Sequence, residues 1–423
     1  MADGMTRREA GKLALMAGVA TVAAPYVAHA AKPKLVVVGG GPGGGTVAKY
    51  AAQGGNVDVT LVERDAYHNT CFFSNLYIGD HWQFDKLSHG YDTMSRKHGV
   101  NVVHASAEAV EPGKVMLAGG ETLAADRVVV SPGIDFKWDM YEGIDAHVAE
   151  TEIPHAYKAG SQTRLLKLQM EAMEDGGTVI IAAPPNPYRC PPGPYERASM
   201  MADWLSKHKP ASKILILDPK TKHSKQGLFN EGWGALYPGM VEWVGGEFTG
   251  GGFTAVDAKA RSVTTADGET YEADVLNFIP AQMAGKIARD SGLTGDGDWA
   301  PIDPETLEST VMPGVHVLGD ACANGDMPKS GFSANSQAKA VAQAVTAELT
   351  GKKAFAPRFR NTCWSLIGED WGVKVGANYK AGEEKIEKTE GFISEVNEDP
   401  STRAATAAEG YAWYRSITED VWG

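Results

Sequence analysis

Cysteine is scarce in this sequence: the 423 residues contain four, Cys71, Cys190, Cys322 and Cys363, and none belongs to a Cys-x-x-Cys pair. Their number and wide spacing exclude a disulfide-stapled scaffold and a tetrahedral zinc site, and the scattered histidines predict no metal. Basic clusters are also missing, since 40 Lys and Arg stand against 53 Asp and Glu, for a net charge of -13. We therefore predict no nucleic-acid partner.

Long apolar runs are missing as well. The uncharged run at residues 13–24 is shorter than the about 20 residues that a transmembrane helix needs. It follows Arg7-Arg8 and precedes the small-x-small pattern at residues 28–30, which a signal peptidase accepts. This pattern predicts a twin-arginine signal peptide over residues 1–30 and a mature protein in a bacterial periplasm, without an integral membrane segment. The alternative is an amphipathic N-terminal helix.

A glycine-rich motif follows at once. The β-branched run at residues 34–38 leads into Gly-Gly-Gly-Pro-Gly-Gly at residues 39–44 and then into a helix-compatible stretch over 46–53. In this arrangement Gly39 permits the tight turn, Gly41 lets a pyrophosphate approach the backbone, and Gly44 lets the helix pack on the strand. The motif predicts a dinucleotide-binding fold.

The next strand, residues 57–62, ends in Glu63. An acidic side chain at this distance from the first glycine accepts hydrogen bonds from ribose hydroxyls. The alternative is a glycine-rich turn followed by a solvated glutamate.

Two later segments distinguish FAD from a nicotinamide. Residues 126–133 form a strand that closes into a small-residue turn, and residues 314–320 form a late strand that ends in Gly319-Asp320. They resemble the second and third signatures of the glutathione reductase-like flavoproteins. The resemblance implies that Asp320 binds the ribityl chain of FAD and that a helix over 333–349 points its N-terminus at the flavin.

The middle of the chain lacks a nicotinamide loop. A strand over 177–183 is followed by a proline-rich stretch at residues 184–194, where a pyridine nucleotide-binding protein would carry glycines. Prolines remove backbone N–H donors, so this loop is predicted not to bind a pyrophosphate. The loop contains Cys190 and precedes a predicted helix over 195–208.

The whole mature chain resembles the flavin subunit of flavocytochrome c sulfide dehydrogenase, a relative of sulfide:quinone oxidoreductase. The segments that carry the resemblance are the twin-arginine leader, Cys71 and residues 189–196, 319–322, 327–335 and 361–364. The resemblance implies FAD bound covalently through Cys71, a redox disulfide between Cys190 and Cys363, and Glu196 close to the flavin. It also implies a c-type cytochrome subunit, which must carry the haem c because this chain has no Cys-x-x-Cys-His.

Each of these residues also has a simpler interpretation. Cys71 is either an attachment point for the flavin or a packed thiol. A bond between Cys190 and Cys363 is either redox-active or a stabilising staple, and Cys322 is most simply a small buried residue. Glu196 either handles protons or is an ordinary carboxylate in the first turn of a helix.

The predicted fold is α/β, with two Rossmann-like dinucleotide-binding domains of the glutathione reductase-like superfamily and a C-terminal α+β domain. After the signal peptide, the predicted boundaries are 31–150 and 285–352 for the FAD domain, 151–284 for a degenerate NAD-like domain and 353–423 for the C-terminal domain.

The predicted function is oxidation of sulfide at a disulfide beside FAD, with electrons passed to the cytochrome. We would place the persulfide on Cys190 and the flavin-facing thiolate on Cys363. The alternatives are a sulfide:quinone oxidoreductase-like enzyme, against which the acidic C-terminus argues, and a flavin-bearing electron relay with no catalysis of its own. A disulfide reductase would need the absent nicotinamide loop.

Overall fold

The computed structural model of the chain describes residues 31–423. The predicted signal peptide, residues 1–30, lies outside the described residues. The first eleven strands are β1 (Lys34–Val38), β2 (Asp58–Val62), β3 (Tyr67–Asn69), β4 (Ser88–Gly90), β5 (Asn101–Val103), β6 (Ala107–Glu111), β7 (Lys114–Leu117), β8 (Thr122–Ala124), β9 (Arg127–Val130), β10 (Ile134–Phe136) and β11 (Thr178–Ala182). The remaining strands are β12 (Lys213–Leu217), β13 (Val241–Val244), β14 (Phe253–Asp257), β15 (Ser262–Thr265), β16 (Thr270–Glu272), β17 (Val275–Phe278), β18 (Gln282–Ala284), β19 (Val315–Val317), β20 (Arg358–Gly368), β21 (Trp371–Ala381) and β22 (Ile386–Ile393). The α-helices are α1 (Pro42–Ala52), α2 (Ser74–Ile78), α3 (Asp92–His98), α4 (Ala146–Thr151), α5 (Ser161–Ala172), α6 (Gly193–His208), α7 (Gln226–Leu236), α8 (Lys286–Asp290), α9 (Gly331–Leu349) and α10 (Pro400–Trp422).

The first sheet is parallel, with the strand order β19, β9, β1, β2, β5. The valines of β1 and β9 are buried, as expected for a parallel sheet that helices cover on both faces. Helices α1 and α9 pack against each other beside this sheet. Because β19 comes from late in the chain yet pairs with β9, a long insertion divides this domain.

Helix α1 begins at Pro42, four residues before the predicted start. Proline is well suited to the first turn of a helix, since its missing N–H would have no partner there and its φ is already helical. The helix therefore starts directly behind Gly41, which is its N-cap residue. This start places the N-terminus of α1 against the phosphate loop.

The insertion contains a second parallel sheet, with the strand order β13, β12, β11, β17. The chain leaves the first domain through β10 and returns through β18, and these two short strands pair antiparallel. Their pairing holds the ends of the insertion together, so the loop after β11 lies close to the first sheet.

The C-terminal part combines the antiparallel sheet β20, β21, β22 with the long helix α10, which packs on β21. Strand β20 also contacts α6 and α9, so it reaches both earlier domains. The predicted fold class, two Rossmann-like units followed by an α+β region, is confirmed. Across residues 31–423, the length and hydropathy that a membrane-spanning helix requires do not occur together in any helix.

Candidate functional site

The phosphate loop has the backbone geometry that its glycines predict. Gly39 has a φ of +100°, and a Cβ added there would lie 2.4 Å from the carbonyl oxygen of Ser131. A Cβ on Gly44 would lie 1.9 Å from the carbonyl oxygen of Gly39, so only glycine permits this approach of helix to strand. The Glu63 carboxylate accepts a hydrogen bond from the N–H of Gly40 at 2.7 Å, which places it at the mouth of the loop.

A cleft of about 1300 Å³ opens beside this loop. Most of the predicted site residues line it, although they come from all three parts of the fold. The lining includes the predicted cofactor residues Gly39, Gly41, Glu63, Cys71, Gly319 and Asp320 and the predicted catalytic residues Cys190, Glu196 and Cys363. Gly44 does not line the cleft, because it lies between α1 and the carbonyl of Gly39.

Asp320 and Arg189 carry buried polar atoms without partners. Oδ2 of Asp320 lies 3.5 Å from Nη1 of Arg189, whereas Oδ1 of Asp320 and Nε of Arg189 are buried and have no hydrogen-bond partner among the described residues. Orphaned buried groups of this kind are costly unless a ligand satisfies them. A free carboxylate oxygen suits a hydroxyl donor, so the site fits the ribityl chain that the resemblance assigns to Asp320.

Cys71 presents a free thiol at the wall of the cleft, four residues after the start of β3. Its Sγ donates to the carbonyl oxygen of Tyr157 at 3.1 Å and accepts from the N–H of Ala159 at 3.2 Å. Nη2 of Arg189 also donates to this sulfur at 3.4 Å. These contacts hold the sulfur at the wall of the cleft.

Cys190 and Cys363 meet in the same cleft, and their thiols hydrogen-bond to each other. Cys190 has a left-handed φ of 56°, and its N–H donates to the carbonyl of Lys329 at 2.9 Å. Cys363 lies within β20, opposite Val375 of β21. Both cysteines are free thiols, so the structure describes the reduced form of the predicted pair.

The two thiols are electrostatically different. The hydrogen bond to Cys363, together with burial, raises the pKa of Cys190 well above its usual range. The same hydrogen bond lowers the pKa of Cys363, and the ammonium of Lys225 lowers it further, although burial acts in the opposite direction. The pair is therefore polarised, with the negative charge favoured on Cys363.

Glu196, in the first turn of α6, turns its carboxylate inward. Its two oxygens accept hydrogen bonds from Nδ2 of Asn75 at 2.9 Å and from the N–H of Leu366 at 3.1 Å. Burial nevertheless raises the pKa of this carboxyl. An ordinary first-turn carboxylate faces solvent, so this position favours the proton-handling interpretation.

Sequence reasoning did not identify Arg189 and Lys225, two cationic side chains that interact with cysteines of the site. Arg189 directly precedes Cys190 in the segment 189–196, so its position beside a candidate catalytic cysteine was the available signal. Lys225 gave no signal at all, because a single lysine before a helix is common and lies 138 residues from Cys363 along the chain. The described residues contain no group of three or more His, Cys, Asp or Glu that is arranged to bind a metal ion.

Three segments match known protein families. Residues 163–280 match the central domain of the sulfide dehydrogenase (flavocytochrome c) flavoprotein chain, and residues 355–422 match the flavin-binding domain of flavocytochrome c sulphide dehydrogenase. Residues 33–170 match the pyridine nucleotide-disulphide oxidoreductases. Two of the three matched segments are therefore similar to the flavocytochrome c sulfide dehydrogenase flavoproteins. The resemblance drawn from the sequence is therefore confirmed.

Individual relatives agree with this family. The mitochondrial sulfide:quinone oxidoreductase of Dictyostelium discoideum is 23% identical over 331 residues, which are 72% of this chain and 68% of that protein. The structure of the sulfide:quinone oxidoreductase from Aquifex aeolicus superposes with a TM-score of 0.67 at 16% identity, covering 92% of each chain. An NDH2 from Plasmodium falciparum gives the same TM-score at 9% identity, over 92% of this chain and 97% of that one. The family matches support a sulfide-oxidising flavoprotein that binds FAD.

Proposed function

We propose that this protein oxidises sulfide at a disulfide between Cys190 and Cys363 and passes the electrons through FAD to a c-type cytochrome subunit. The observation that supports the proposal is the meeting of the two thiols in one cleft with the predicted flavin-binding residues. A purely structural disulfide would not need to line the cleft, whereas Cys190 and Cys363 both do.

The first step needs only the pair and the substrate. Hydrosulfide attacks Sγ of Cys190, a sulfur–sulfur bond forms there, the bond between Cys190 and Cys363 breaks, and Cys363 leaves as a thiolate. One anion enters and one is produced, so charge balances. The sulfur of the substrate is oxidised by two electrons, and the disulfide is reduced by two.

The proposal gives other residues of the cleft the task of holding FAD. Gly39, Gly41 and the start of α1 would hold its pyrophosphate, Glu63 a ribose, and Asp320 the ribityl chain. Cys71 would hold the flavin covalently. When bound, FAD supplies a two-electron acceptor that can release electrons singly.

Glu196 would serve this step as a proton carrier. Because burial raises the pKa of its carboxyl, the group keeps a proton at a higher pH than an exposed glutamate does. A protonated carboxyl beside the pair can protonate a sulfur anion, and its carboxylate can take a proton from hydrogen sulfide.

The cytochrome partner and the cellular location belong to the same proposal. The name of the family implies a haem c, and the sequence has no Cys-x-x-Cys-His to bind one, so a second polypeptide would carry it. Export through the twin-arginine route would place the protein in the periplasm, after its cofactor is bound.

Cysteine variants of the holoprotein test the proposal. We expect Cys190→Ala and Cys363→Ala each to nearly abolish sulfide-dependent reduction of cytochrome c, and the double variant to lose no more than either single one, because the two residues act as one unit. Cys322→Ala is the matched control, since Cys322 is fully buried and does not line the cleft. Near-normal turnover in folded Cys190→Ala protein would contradict the proposal. The disulfide would then be a structural bond, or the protein an electron relay without catalysis of its own.

A second electron acceptor is worth testing, because the fold likeness to sulfide:quinone oxidoreductase covers 92% of this chain. Sulfide oxidation should be measured with cytochrome c and, separately, with a short-chain ubiquinone. Faster turnover with the quinone would favour the quinone reductase alternative.

A further inference from the structure

Lys225 is a buried cation beside the cysteine pair, and the proposed function gives it no task. Its residue is 6% exposed, and it precedes α7 with a left-handed φ of 59°. Nζ donates to the carbonyl oxygen of Cys363 at 3.1 Å and to Oγ of Ser365 at 2.8 Å. Neither partner carries a formal charge. A buried ammonium is costly without a compensating anion, so its position needs an explanation.

The anions available to Lys225 are those of the active-site cleft. Burial lowers the pKa of Lys225, whereas Cys363, Glu196 and Cys190 favour its charged form, Cys363 most strongly. Tyr379 also faces Cys363, but burial raises its pKa to about 12, so it is neutral at physiological pH. Of these groups, Cys363 is the one whose own carbonyl oxygen accepts a hydrogen bond from Lys225, whereas the oxygens of Glu196 accept from Asn75 and Leu366.

We propose that Lys225 is a positioning residue that makes Cys363, and not Cys190, the leaving thiolate of the pair. The inference rests on the proposed function and assigns the two cysteines their order. Lys225 is anchored on the carbonyl of Cys363 itself, so its charge remains beside that residue while the sulfur–sulfur bond opens. Attack of hydrosulfide at Cys190 then expels the sulfur that Lys225 stabilises more strongly, whereas attack at Cys363 would expel the sulfur that it stabilises less.

The same contacts explain the strained backbone at Lys225. Non-glycine residues are uncommon at positive φ, and the cost is of order 1–3 kcal/mol where the surroundings impose it. Here the side chain, held by two acceptors on β20, fixes the turn that begins α7. Strained backbone of this kind is concentrated at functional sites, and here it holds the ammonium of Lys225 beside Cys363.

Thiol alkylation tests the proposal without sulfide or cytochrome. The full-length holoprotein is reduced, exposed briefly to iodoacetamide at a series of pH values, quenched with acid, and digested for mass spectrometry. We expect wild-type Cys363 to be labelled at lower pH than Cys190, because the thiolate is the reactive form. Lys225→Met should slow labelling of Cys363 at pH 7 by about tenfold, since a nearby opposite charge changes the pKa of a group by about one unit or more.

Two further variants separate charge from structure. Lys225→Arg keeps the positive charge and should restore labelling of Cys363 towards the wild-type pH dependence. Lys220→Met is the matched control, because Lys220 is also a largely buried lysine but pairs with Asp218 at 2.7 Å; its loss should leave the labelling of Cys363 unchanged.

Either of two results would overturn the inference. One is an unchanged pH dependence of Cys363 in folded Lys225→Met protein. The other needs no variant: preferential labelling of Cys190 at low pH in the wild type. Because neither measurement involves turnover, a failure here is distinct from a failure of sulfide oxidation, which the cysteine variants measure.

Discussion

Trp422, in the last turn of α10, donates its indole N–H to the carbonyl oxygen of Gly40 in the phosphate loop, at 3.0 Å. Its ring stacks on His68 at 5.1 Å and on His89 at 4.8 Å. Burial, with a smaller contribution from Arg189, lowers the pKa of His68 to about 3, so that ring is neutral. The end of the chain is therefore a structural part of the loop that begins the dinucleotide fold.

Removal of this indole should destabilise the protein. Trp422 is 4% exposed, and replacing a buried tryptophan by alanine costs about 3–5 kcal/mol in the free energy of unfolding. We expect Trp422→Ala to lower both the denaturant midpoint and the melting temperature. Phe355→Ala, which removes an 81% exposed ring, is the control and should leave both unchanged. Equal midpoints for the two variants would contradict this role of Trp422.

Covalent flavin attachment at Cys71 is the second prediction. The thiol lies in the cleft with donors on its sulfur, so it is placed to react with a bound flavin. The mass of denatured Cys71→Ser protein should lack the flavin increment that the wild type shows. Cys322→Ser should keep it. A flavin mass that persists in Cys71→Ser protein would refute the assignment.

Glu196 should give stability a specific pH dependence. Burial raises the pKa of its carboxyl above the usual 4.5, despite the donors from Asn75 and Leu366. A group whose pKa is higher in the folded state contributes stability in acid, and that stability is lost as the pH rises through the folded pKa. We expect the wild type to lose stability relative to Glu196→Gln as the pH increases from 4.5 upward.

Denaturant unfolding of both proteins across this pH range measures the difference. The exposed Glu242→Gln variant controls for the loss of one negative charge. A free-energy difference between wild type and Glu196→Gln that stays constant with pH would count against the raised pKa.

NADH should reduce the flavin negligibly. At the start of α6, Pro192 and Pro194 have no N–H, and the N–H groups of Gly193, Tyr195 and Glu196 already donate to the carbonyls of Cys190 or Pro192. No backbone donor of this turn is left for a pyrophosphate. Anaerobic mixing with excess NADH should leave the flavin absorbance intact, whereas sulfide should bleach it. Rapid bleaching by NADH would contradict the prediction.

The sequence determined the features that depend on neighbouring residues. The glycines at 39–44 identify the phosphate loop because each one answers a local steric demand, as the positive φ of Gly39 shows. The prolines around Cys190 exclude a nucleotide loop for an equally local reason, the loss of N–H donors. The order of strands and helices follows from the same kind of pattern, and it predicts the two parallel sheets.

Tertiary structure decided the contacts between distant segments. Lys225 reaches Cys363, Asn75 reaches Glu196, and Trp422 reaches Gly40 only because β20 and α10 pack across the two earlier domains. No periodicity or spacing marks such pairs, since their separation along the chain is unrelated to their distance in space. The charge on each cysteine depends on these contacts, because burial and nearby charges set a pKa and both are properties of the folded state.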